Sequence, residues 1–543
     1  MHRTATALTL ILAAGSAMAE PLWDKHLTNP TAYIPSQCYT NTLDEAGNAY
    51  NPCFTCHVDA RAPNYIVGDE DLQTEYAFPR AALKNPWTNL FVDRSAAIAA
   101  VSDAEIDAYV AQSNYFDADG TITLARKLAN PPANWDEDGD GAWAGYIPDC
   151  HFNFDAEGFD HAPDGTPTGW RAFAYVPLPG GFWPTNGSTD DVLIRLAEPF
   201  RTDETGAYDP EIYKVNLAIT EALIQRADVA IDPVDETRLG VDLDKDGTLG
   251  TADHIAYDWM PIDGRFMSWV GAAKGEKLAA GLFPLGTEFL HTVRYIDVSS
   301  GAVSMAPRIK EVRYGIKSKW QTYADLEQGG LAEVKERAAF PDRIDIFDGG
   351  LETGIANGTG WRYQAFIEDA AGDLRPQSFE ETVFCIGCHG GVSVTDDAAY
   401  AFPRKLPSQT AHARGWYHWT QKSLAGTPEP VRADGQRELL TYLQENGAGD
   451  EFRNNAEIIA RFIAADGSVD PQAAAELEQD ISTLLFPSPE RARTLNKAYR
   501  EIVLEQSYVR GRDAVAMPAA NVHREVEQNQ PTGIVTPVRA ARW

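Results

Sequence analysis

The chain has 543 residues, with 46 Lys and Arg against 79 Asp and Glu and a formal charge of −33. This charge excludes a nucleic-acid binder that works through a basic face, and a partner steered by charge is expected to be basic. Hydrophobic residues at 44% and aromatic residues at 10% exclude a disordered acidic chain. The length is that of roughly three ordinary domains.

The N-terminus has the three parts of an export signal. Arg3 gives a short basic start, an apolar run extends from Leu8 to Ala14, and Ala17-Met18-Ala19 is typical of a cleavage site. No later stretch has the roughly 18 apolar residues of a membrane helix. We expect removal of residues 1–19 and a soluble product in the periplasm or outside the cell, with no integral membrane segment. No cysteine lies at the cleavage site to carry a bacterial lipid anchor.

Two copies of a C-x-x-C-H motif are the strongest chemical signal in the chain. They are Cys53-Phe54-Thr55-Cys56-His57 (the first motif) and Cys385-Ile386-Gly387-Cys388-His389 (the second motif). This spacing is the attachment signature of c-type haem. Two thiols three positions apart can bond the two haem vinyl groups, and the adjacent histidine then lies beneath the iron.

Through these two pentapeptides and their flanks, the chain resembles the dihaem c-type cytochromes. The resemblance implies two covalently bound haem c groups, with His57 and His389 as proximal iron ligands. It agrees with export, because such proteins mature outside the cytoplasm. The alternatives are a redox C-x-x-C pair and a zinc site shared by the two motifs.

Two further cysteines, Cys38 and Cys150, lie outside the motifs in similar contexts, each two or three residues after an Ile-Pro pair. In an oxidising compartment leftover thiols usually pair, so we expect a disulfide between them. The alternative is two separate buried thiols.

An identical pentapeptide follows each motif. Tyr76-Ala77-Phe78-Pro79-Arg80 and Tyr400-Ala401-Phe402-Pro403-Arg404 each lead to a Trp-Thr pair, at residues 87–88 and 419–420. The repeat predicts two copies of one haem-binding unit, with Arg80 and Arg404 as candidates to bind haem propionates. A packing motif without haem contact is the alternative.

Hydrophobic periodicity predicts a mixed fold. Residues 289–296 and 361–367 alternate as strands do. Helical patterns lie near residues 103–111, 216–226, 435–444 and 473–484. We expect an α+β protein with cytochrome c-like haem-binding regions at 20–165 and 351–543, and a β-rich middle region at 166–350 that carries a calcium loop.

The calcium loop is predicted at residues 242–253. Asp242, Asp244, Asp246 and Asp253 occupy positions 1, 3, 5 and 12, and Gly247 occupies position 6. This is the EF-hand pattern, in which alternate oxygen ligands surround the cation and the glycine permits the sharp turn. Asp replaces the usual Glu at position 12. The alternative is a solvated acidic turn.

A second acidic run, Asp136-Glu137-Asp138-Gly139-Asp140-Gly141, repeats the first half of this pattern. Its position 12 is Ile147, which offers no carboxylate. The closing ligand of a second calcium site must therefore come from elsewhere, and Asp149 is the nearest candidate.

The sixth iron ligands are harder to place. Among aromatic residues just before the second Trp-Thr pair, His418 is the best candidate for the second haem, with His412 and His523 behind it. A buried core histidine is the alternative reading. In the first unit Pro86 occupies the matching place, and spacing favours none of the histidines at 26, 151 and 161.

These features predict an exported protein that transfers electrons between redox protein partners. The alternative is a peroxidase-like dihaem oxidoreductase with one open iron. A secreted binding or structural module is a third class. No triad, phosphate loop or paired-carboxylate motif singles out a substrate, so whether the chain is an enzyme stays open.

Overall fold

In the computed structural model, the described residues are 21–23, 27–64, 69–432, 434–446 and 455–539. The predicted signal, residues 1–19, lies outside them. The strands are β1 Glu75–Tyr76, β2 Phe159–His161, β3 Pro167–Ala172, β4 Thr189–Asp190, β5 Leu193–Arg195, β6 Val229–Asp235, β7 Thr251–Ile255, β8 Glu288–Asp297, β9 Ser304–Lys317, β10 Gly349–Gly350, β11 Gly354–Ala356, β12 Trp361–Glu368, β13 Leu374–Pro376 and β14 Gln530–Pro531.

The helices are α1 Ser95–Ala100, α2 Asp103–Val110, α3 Thr123–Leu128, α4 Pro210–Gln225, α5 Glu236–Leu239, α6 Tyr323–Ala339, α7 Phe379–His389, α8 Glu438–Asn446, α9 Ala456–Phe462, α10 Pro471–Gln479, α11 Ser482–Leu485 and α12 Pro489–Glu505. Helices and strands are interspersed along the chain. The architecture is mixed, with one large antiparallel sheet.

Ten strands form this sheet, in the order β10-β11-β12-β9-β8-β5-β3-β2, with β13 added beside β12 and β4 beside β8. At its centre the strands β8, β9 and β12 lie antiparallel side by side, where Phe289 pairs with Gly315 and Gly315 pairs with Tyr363. The sheet runs from residue 159 to residue 376, across the boundary predicted at 350.

Helix α4 shows how local sequence signals and burial combine. It begins with Pro210 at its first position, and the Asp209 carboxylate accepts the amide hydrogens of Glu211 and Ile212. It ends at Gln225, and the capping residue that follows, Arg226, has a left-handed backbone. Between these caps nearly every side chain is buried, so α4 lies within the largest core cluster.

The N-terminal and C-terminal segments of the described chain fold against each other. Strand β1 pairs with β14, where Tyr76 lies opposite Gln530. Nearby, the Thr42 hydroxyl donates to the Thr532 carbonyl at 2.8 Å. Residues in the N-terminal part of the described chain therefore depend on residues near position 530 for their partners.

Among the described residues, no helix has the length and apolar character needed to cross a membrane.

Candidate functional site

The first motif is a single 3-10 turn over Cys53–Thr55, followed by Cys56 and His57. The amide hydrogens of Cys56 and His57 both donate to the Cys53 carbonyl, at 3.2 and 2.9 Å. The His57 Nδ1 atom lies 3.1 Å from the buried carboxylate of Asp69. The turn thus fixes the backbone of both cysteines, and Asp69 holds one nitrogen of the imidazole ring.

The second motif forms the C-terminal end of α7. A capping box starts this helix: the Ser378 hydroxyl accepts the Glu381 amide hydrogen, and the Glu381 carboxylate accepts that of Ser378. At the other end, His389 Nδ1 lies 2.9 Å from the Ala398 carbonyl. Burial lowers the pKa of His389 to about 4, so this imidazole is neutral.

The structure brings the two motifs together. The Val394 amide donates to the Cys56 carbonyl at 3.2 Å, and the Ser393 hydroxyl donates to the same carbonyl at 3.1 Å across 337 positions. The Ser393 amide also donates to Asp69, the partner of His57, at 3.0 Å. The segment that follows the second motif therefore closes over the first one.

The cysteines of this junction form a group of half-buried thiols. Burial raises the pKa of Cys53 to about 12 and that of Cys56 to about 11. Burial, together with the neighbouring Cys56 thiol, raises the pKa of Cys388 to about 12. Burial and the nearby thiols of Cys53, Cys56 and Cys388 also raise the pKa of Cys38. All four are protonated at neutral pH.

The predicted disulfide between Cys38 and Cys150 is absent, because both residues are free thiols. Cys38 lies with the motif cysteines, as described above. Cys150 belongs to a different core cluster, where its carbonyl accepts the Tyr115 hydroxyl at 2.9 Å. The similar sequences before Cys38 and Cys150 therefore do not place the two cysteines in the same part of the fold.

The repeated pentapeptides adopt different environments despite their identical sequences. Arg80 is exposed and pairs with Asp342 at 2.7 Å. Arg404 is buried, where it pairs with Glu438 at 2.8 Å and donates to the Val176 carbonyl at 2.7 Å. The structure thus gives both arginines protein partners.

His418 is buried, and both of its ring nitrogens have protein partners. Nδ1 lies 2.6 Å from the Thr420 hydroxyl, and Nε2 lies 3.1 Å from the Asp191 carboxylate. An imidazole with both nitrogens occupied cannot ligate a metal without breaking one of these bonds. The structure therefore supports the interpretation of His418 as a buried core histidine.

Two other imidazoles, those of His523 and His291, have neighbours at or close to the motifs. The ring of His523 lies 5.1 Å from that of Tyr76, and burial, with a smaller contribution from Cys53, raises the pKa of Tyr76. His291 lies close enough to His389 for its charge to lower the pKa of His389. Sequence spacing gave no reason to single out His291. Of the histidines weighed for the first haem, His26 lies outside the described residues.

The second candidate site is the acidic loop at residues 242–250 (loop B). Asp242 and Asp244 lie with Glu236, and one carboxylate oxygen of each falls within 4.8 Å of the others. Glu236 is only 1% exposed, and one oxygen of Asp242 is buried without a hydrogen-bond partner. Asp246 stays in the loop, where it accepts the Thr248 amide at 2.7 Å.

Asp253, the predicted closing ligand, does not join this group. Its exposed side chain pairs with the neighbouring His254 at 2.9 Å, and strand β7 carries both residues. Glu236 lies beside Asp242 and Asp244 instead. It lies outside the twelve-residue window of the EF-hand pattern, so spacing within the loop did not reveal it.

The acidic run at residues 136–144 (loop A) has the same arrangement. Asp136 and Asp138 lie with Glu352, again with one oxygen of each within 4.8 Å of the others. Glu352 is 4% exposed and comes from the turn between β10 and β11. Asp149, the candidate from sequence, instead pairs with Arg195 at 2.5 Å.

The two loops share one hydrogen-bond pattern, position by position. The carboxylate at position 1 accepts the amide at position 6, at 2.9 Å in loop A and 3.1 Å in loop B. The carboxylate at position 3 accepts the amide at position 5, at 3.1 Å in both loops. Positions 4 and 6 have positive φ in both.

The external glutamate is also used in the same way. Its two oxygens accept the amides of positions 2 and 9, at 2.6 and 3.0 Å from Glu352 in loop A. In loop B the corresponding distances from Glu236 are 2.5 and 2.8 Å. Each glutamate is thus fixed by backbone donors beside two aspartates.

The comparisons with known proteins point to one family. A lipoprotein family model matches residues 22–482. An uncharacterized lipoprotein of Aquifex aeolicus (strain VF5) is 33% identical over 572 aligned positions, which cover 96% of this chain and 93% of the relative. No solved structure matches the chain.

These matches contradict the identification as a dihaem c-type cytochrome, because the family that covers most of the chain is a lipoprotein family. The functions drawn from that identification, electron transfer and its peroxidase-like alternative, fall with it, and redox protein partners have no support. The C-x-x-C-H spacing was a local signal that said nothing about the remaining residues. The separate cofactor prediction, covalent haem c at the motifs, stays a prediction that intact mass spectrometry checks.

Proposed function

Because the chain belongs to this lipoprotein family, which indicates an exported protein of the cell envelope, we propose that it is a calcium-binding envelope protein in the periplasm or at the cell surface. Loops A and B are the calcium sites. The observation that carries the proposal is their shared arrangement of two loop aspartates and one buried external glutamate.

The donor set suits calcium. Each site offers three carboxylates, and backbone carbonyls and water can complete the six to eight oxygen ligands that Ca²⁺ takes in flexible geometry. A buried glutamate beside two aspartates is unfavourable without a cation, because like charges in a low dielectric repel. A divalent cation would relieve this repulsion, and the unpartnered Asp242 oxygen would gain a ligand.

The two sites differ in their basic neighbours. Arg265 pairs with Asp242 at 2.8 Å, so a guanidinium competes with the cation at loop B. Among the described residues, no basic side chain forms an ion pair with Asp136, Asp138 or Glu352. Loop A is therefore expected to bind calcium more tightly than loop B.

Calcium at loop A would also connect distant parts of the chain. The Glu137 amide and the Glu352 carboxylate are 215 positions apart and already bonded. A cation shared by Asp136, Asp138 and Glu352 would hold the segment around residue 140 against the β10–β11 edge of the sheet. The function proposed for calcium is thus to stabilise the folded envelope protein.

Calorimetric titration of the exported protein with CaCl₂ should reveal two sites. Asp138→Asn should remove the tighter one and Asp244→Asn the weaker one, because each keeps the loop hydrogen bond but loses a charged ligand. A chelator should lower the melting temperature. At a calcium concentration a hundredfold above Kd, each occupied site stabilises the folded state by about 2.7 kcal/mol, and the chelator removes this contribution.

The chain supplies two controls for this titration. Asp119→Asn alters a third aspartate turn, in which the carboxylate accepts the Thr121 amide at 2.9 Å. In the described part of the chain no external glutamate joins these aspartates, so binding should be unchanged. Asp253 is the position-12 carboxylate of the EF-hand pattern, but in the structure it lies outside the acidic group and pairs with His254. Asp253→Asn should therefore also leave calcium binding unchanged. Full binding in the Asp138→Asn and Asp244→Asn double variant would overturn the proposal.

A further inference from the structure

A short loop with exposed apolar side chains is bonded to calcium loop B. Within residues 260–266 (the apolar loop), Ile262 is fully exposed, Met260 is 76% exposed and Phe266 is 66% exposed. Single apolar side chains are common on protein surfaces, but several within one short segment mark a site of interaction with another molecule.

The backbone of the apolar loop holds these side chains outward. The Gly264 amide donates to the Pro261 carbonyl at 3.3 Å, which closes a turn with Ile262 near its tip. Gly264 has a φ of 77°, a conformation that favours glycine. Pro261 and Met267, on either side of the exposed run, are buried. The loop is thus fixed at both ends and exposed between them.

Two basic side chains join the apolar loop to loop B. Lys245 of loop B donates through Nζ to the carbonyls of Arg265 and Phe266, at 2.8 and 2.9 Å. The Arg265 guanidinium donates to the Asp242 carboxylate at 2.8 Å and to the Asp263 carboxylate at 2.6 Å. Any change at Asp242 therefore acts on the apolar loop through a single side chain.

Calcium at loop B would change the charge beside the apolar loop. The cation would compete with Arg265 for Asp242, and a displaced guanidinium would present free donors to solvent. Three carboxylates leave some of the six to eight ligand positions of Ca²⁺ open. Phosphate oxygens suit both groups, as hard ligands for calcium and as paired acceptors for arginine. Without calcium, the formal charge of −33 repels a phosphate-bearing surface.

Loop A does not share this arrangement. The structure describes all of residues 136–144, and no large apolar side chain among them is exposed. The exposed apolar side chains therefore accompany the site that is expected to bind calcium more weakly. The occupancy of a weaker site changes more readily with the calcium concentration.

We propose that the apolar loop docks on a phospholipid bilayer when loop B holds calcium. Calcium and Arg265 contact headgroup phosphates, and Ile262 with its apolar neighbours enters the boundary between headgroups and acyl chains. A bilayer offers phosphate and hydrocarbon together, which matches the two parts of this surface. The docking rests on the calcium-binding function proposed above, because it requires an occupied loop B.

Vesicle flotation of the full exported protein tests the docking, with vesicles of phosphatidylethanolamine and phosphatidylglycerol in CaCl₂ or in EGTA. The protein should float with the vesicles only in CaCl₂. Ile262→Ser should weaken vesicle binding about tenfold, because it removes an apolar side chain and changes no charge. Ile346→Ser is the matched control, since Ile346 lies between α6 and β10 and is 85% exposed. Its vesicle binding should be unchanged.

Calorimetric titration with CaCl₂ in the absence of vesicles separates the docking from the calcium sites. Ile262→Ser should bind calcium as the unmodified protein does, whereas Asp244→Asn should lose both the loop B calcium and the vesicle binding. Two calcium sites without flotation would overturn the docking and leave the calcium function standing. A loop B that binds no calcium would overturn both.

Two further results would overturn the docking. One is flotation of folded Ile262→Ser as strong as that of the unmodified protein, which would mean that calcium only bridges the acidic protein surface and the lipid. The other is a calcium-dependent dimer in ultracentrifugation without vesicles that Ile262→Ser converts to a monomer, because a second copy of the chain would then cover the apolar loop. Melting temperatures of the variants establish that each one folds.

Discussion

At the scale of single residues, Glu429 illustrates a carboxyl group whose charge is disfavoured by the fold. Only 3% of it is exposed. One oxygen accepts the Leu439 amide at 2.5 Å, and the other is buried without a partner. Burial raises the pKa of Glu429 from 4.5 to about 7, although the backbone hydrogen bonds oppose this rise.

This residue gives a pH prediction with a definite sign. Between pH 4.5 and about 7 the folded state binds more protons at Glu429 than the unfolded state, so its contribution to stability falls as pH rises. The full loss is about 3 kcal/mol. Glu429→Gln should remove this slope, as measured by urea unfolding at pH 5 and pH 8, whereas the exposed Glu327→Gln should keep it.

At the scale of secondary-structure elements, the value of a helix cap depends on what the helix carries. Helices α6 and α7 both begin with a capping box, at Thr322 and Ser378. No residue of α6 is buried, whereas α7 carries the second motif and contributes Val383, Cys385 and Ile386 to the core. The same local bonds therefore support different amounts of tertiary structure.

Removing each cap tests this difference. Ser378→Ala should lower the free energy of unfolding by about 1 kcal/mol, a typical cost for a lost N-cap. Thr322→Ala should lower it by much less, because α6 can fray without exposing core residues. Denaturant unfolding of the two variants checks the prediction, and an equal loss in both would contradict it.

The elements also show what sequence could and could not foretell. The alternation at residues 289–296 and 361–367 marks strands β8 and β12, and the pattern at 103–111 marks α2, because these signals are local. The glutamates that complete the acidic loops were missed. Glu352 reaches loop A from about 215 positions away, and no spacing rule within a loop encodes such a partner.

At the scale of the whole molecule, the described chain is closed by its C-terminal segment. Strand β14 pairs with β1, and the Asn521 carbonyl accepts the Asn41 amide at 2.7 Å. The Gln73 side-chain amide donates to the Val538 carbonyl at 2.9 Å. These bonds fix the segment that leads into and out of the first motif.

A shortened chain tests the importance of this closure. Removal of residues 520–543 should increase the rate at which Cys38 and Cys53 react with a thiol reagent such as DTNB, because their covering segment loses its partners. The reactivity of Cys150, in a separate cluster, should change little and serves as the internal control. The prediction would be contradicted if all three thiols reacted with DTNB as slowly in the shortened chain as in the full chain.

Because the segment after the second C-x-x-C-H motif covers the first motif, the first motif stays uncovered until that later segment has been synthesised. A chain that leaves the ribosome from its N-terminus presents Cys53 and Cys56 long before Ser393 follows, 337 positions after Cys56. At about 5–20 residues per second, that delay is roughly 20–70 s. During this interval the first motif is open to any enzyme that modifies thiols, and the arrival of the second motif ends its availability.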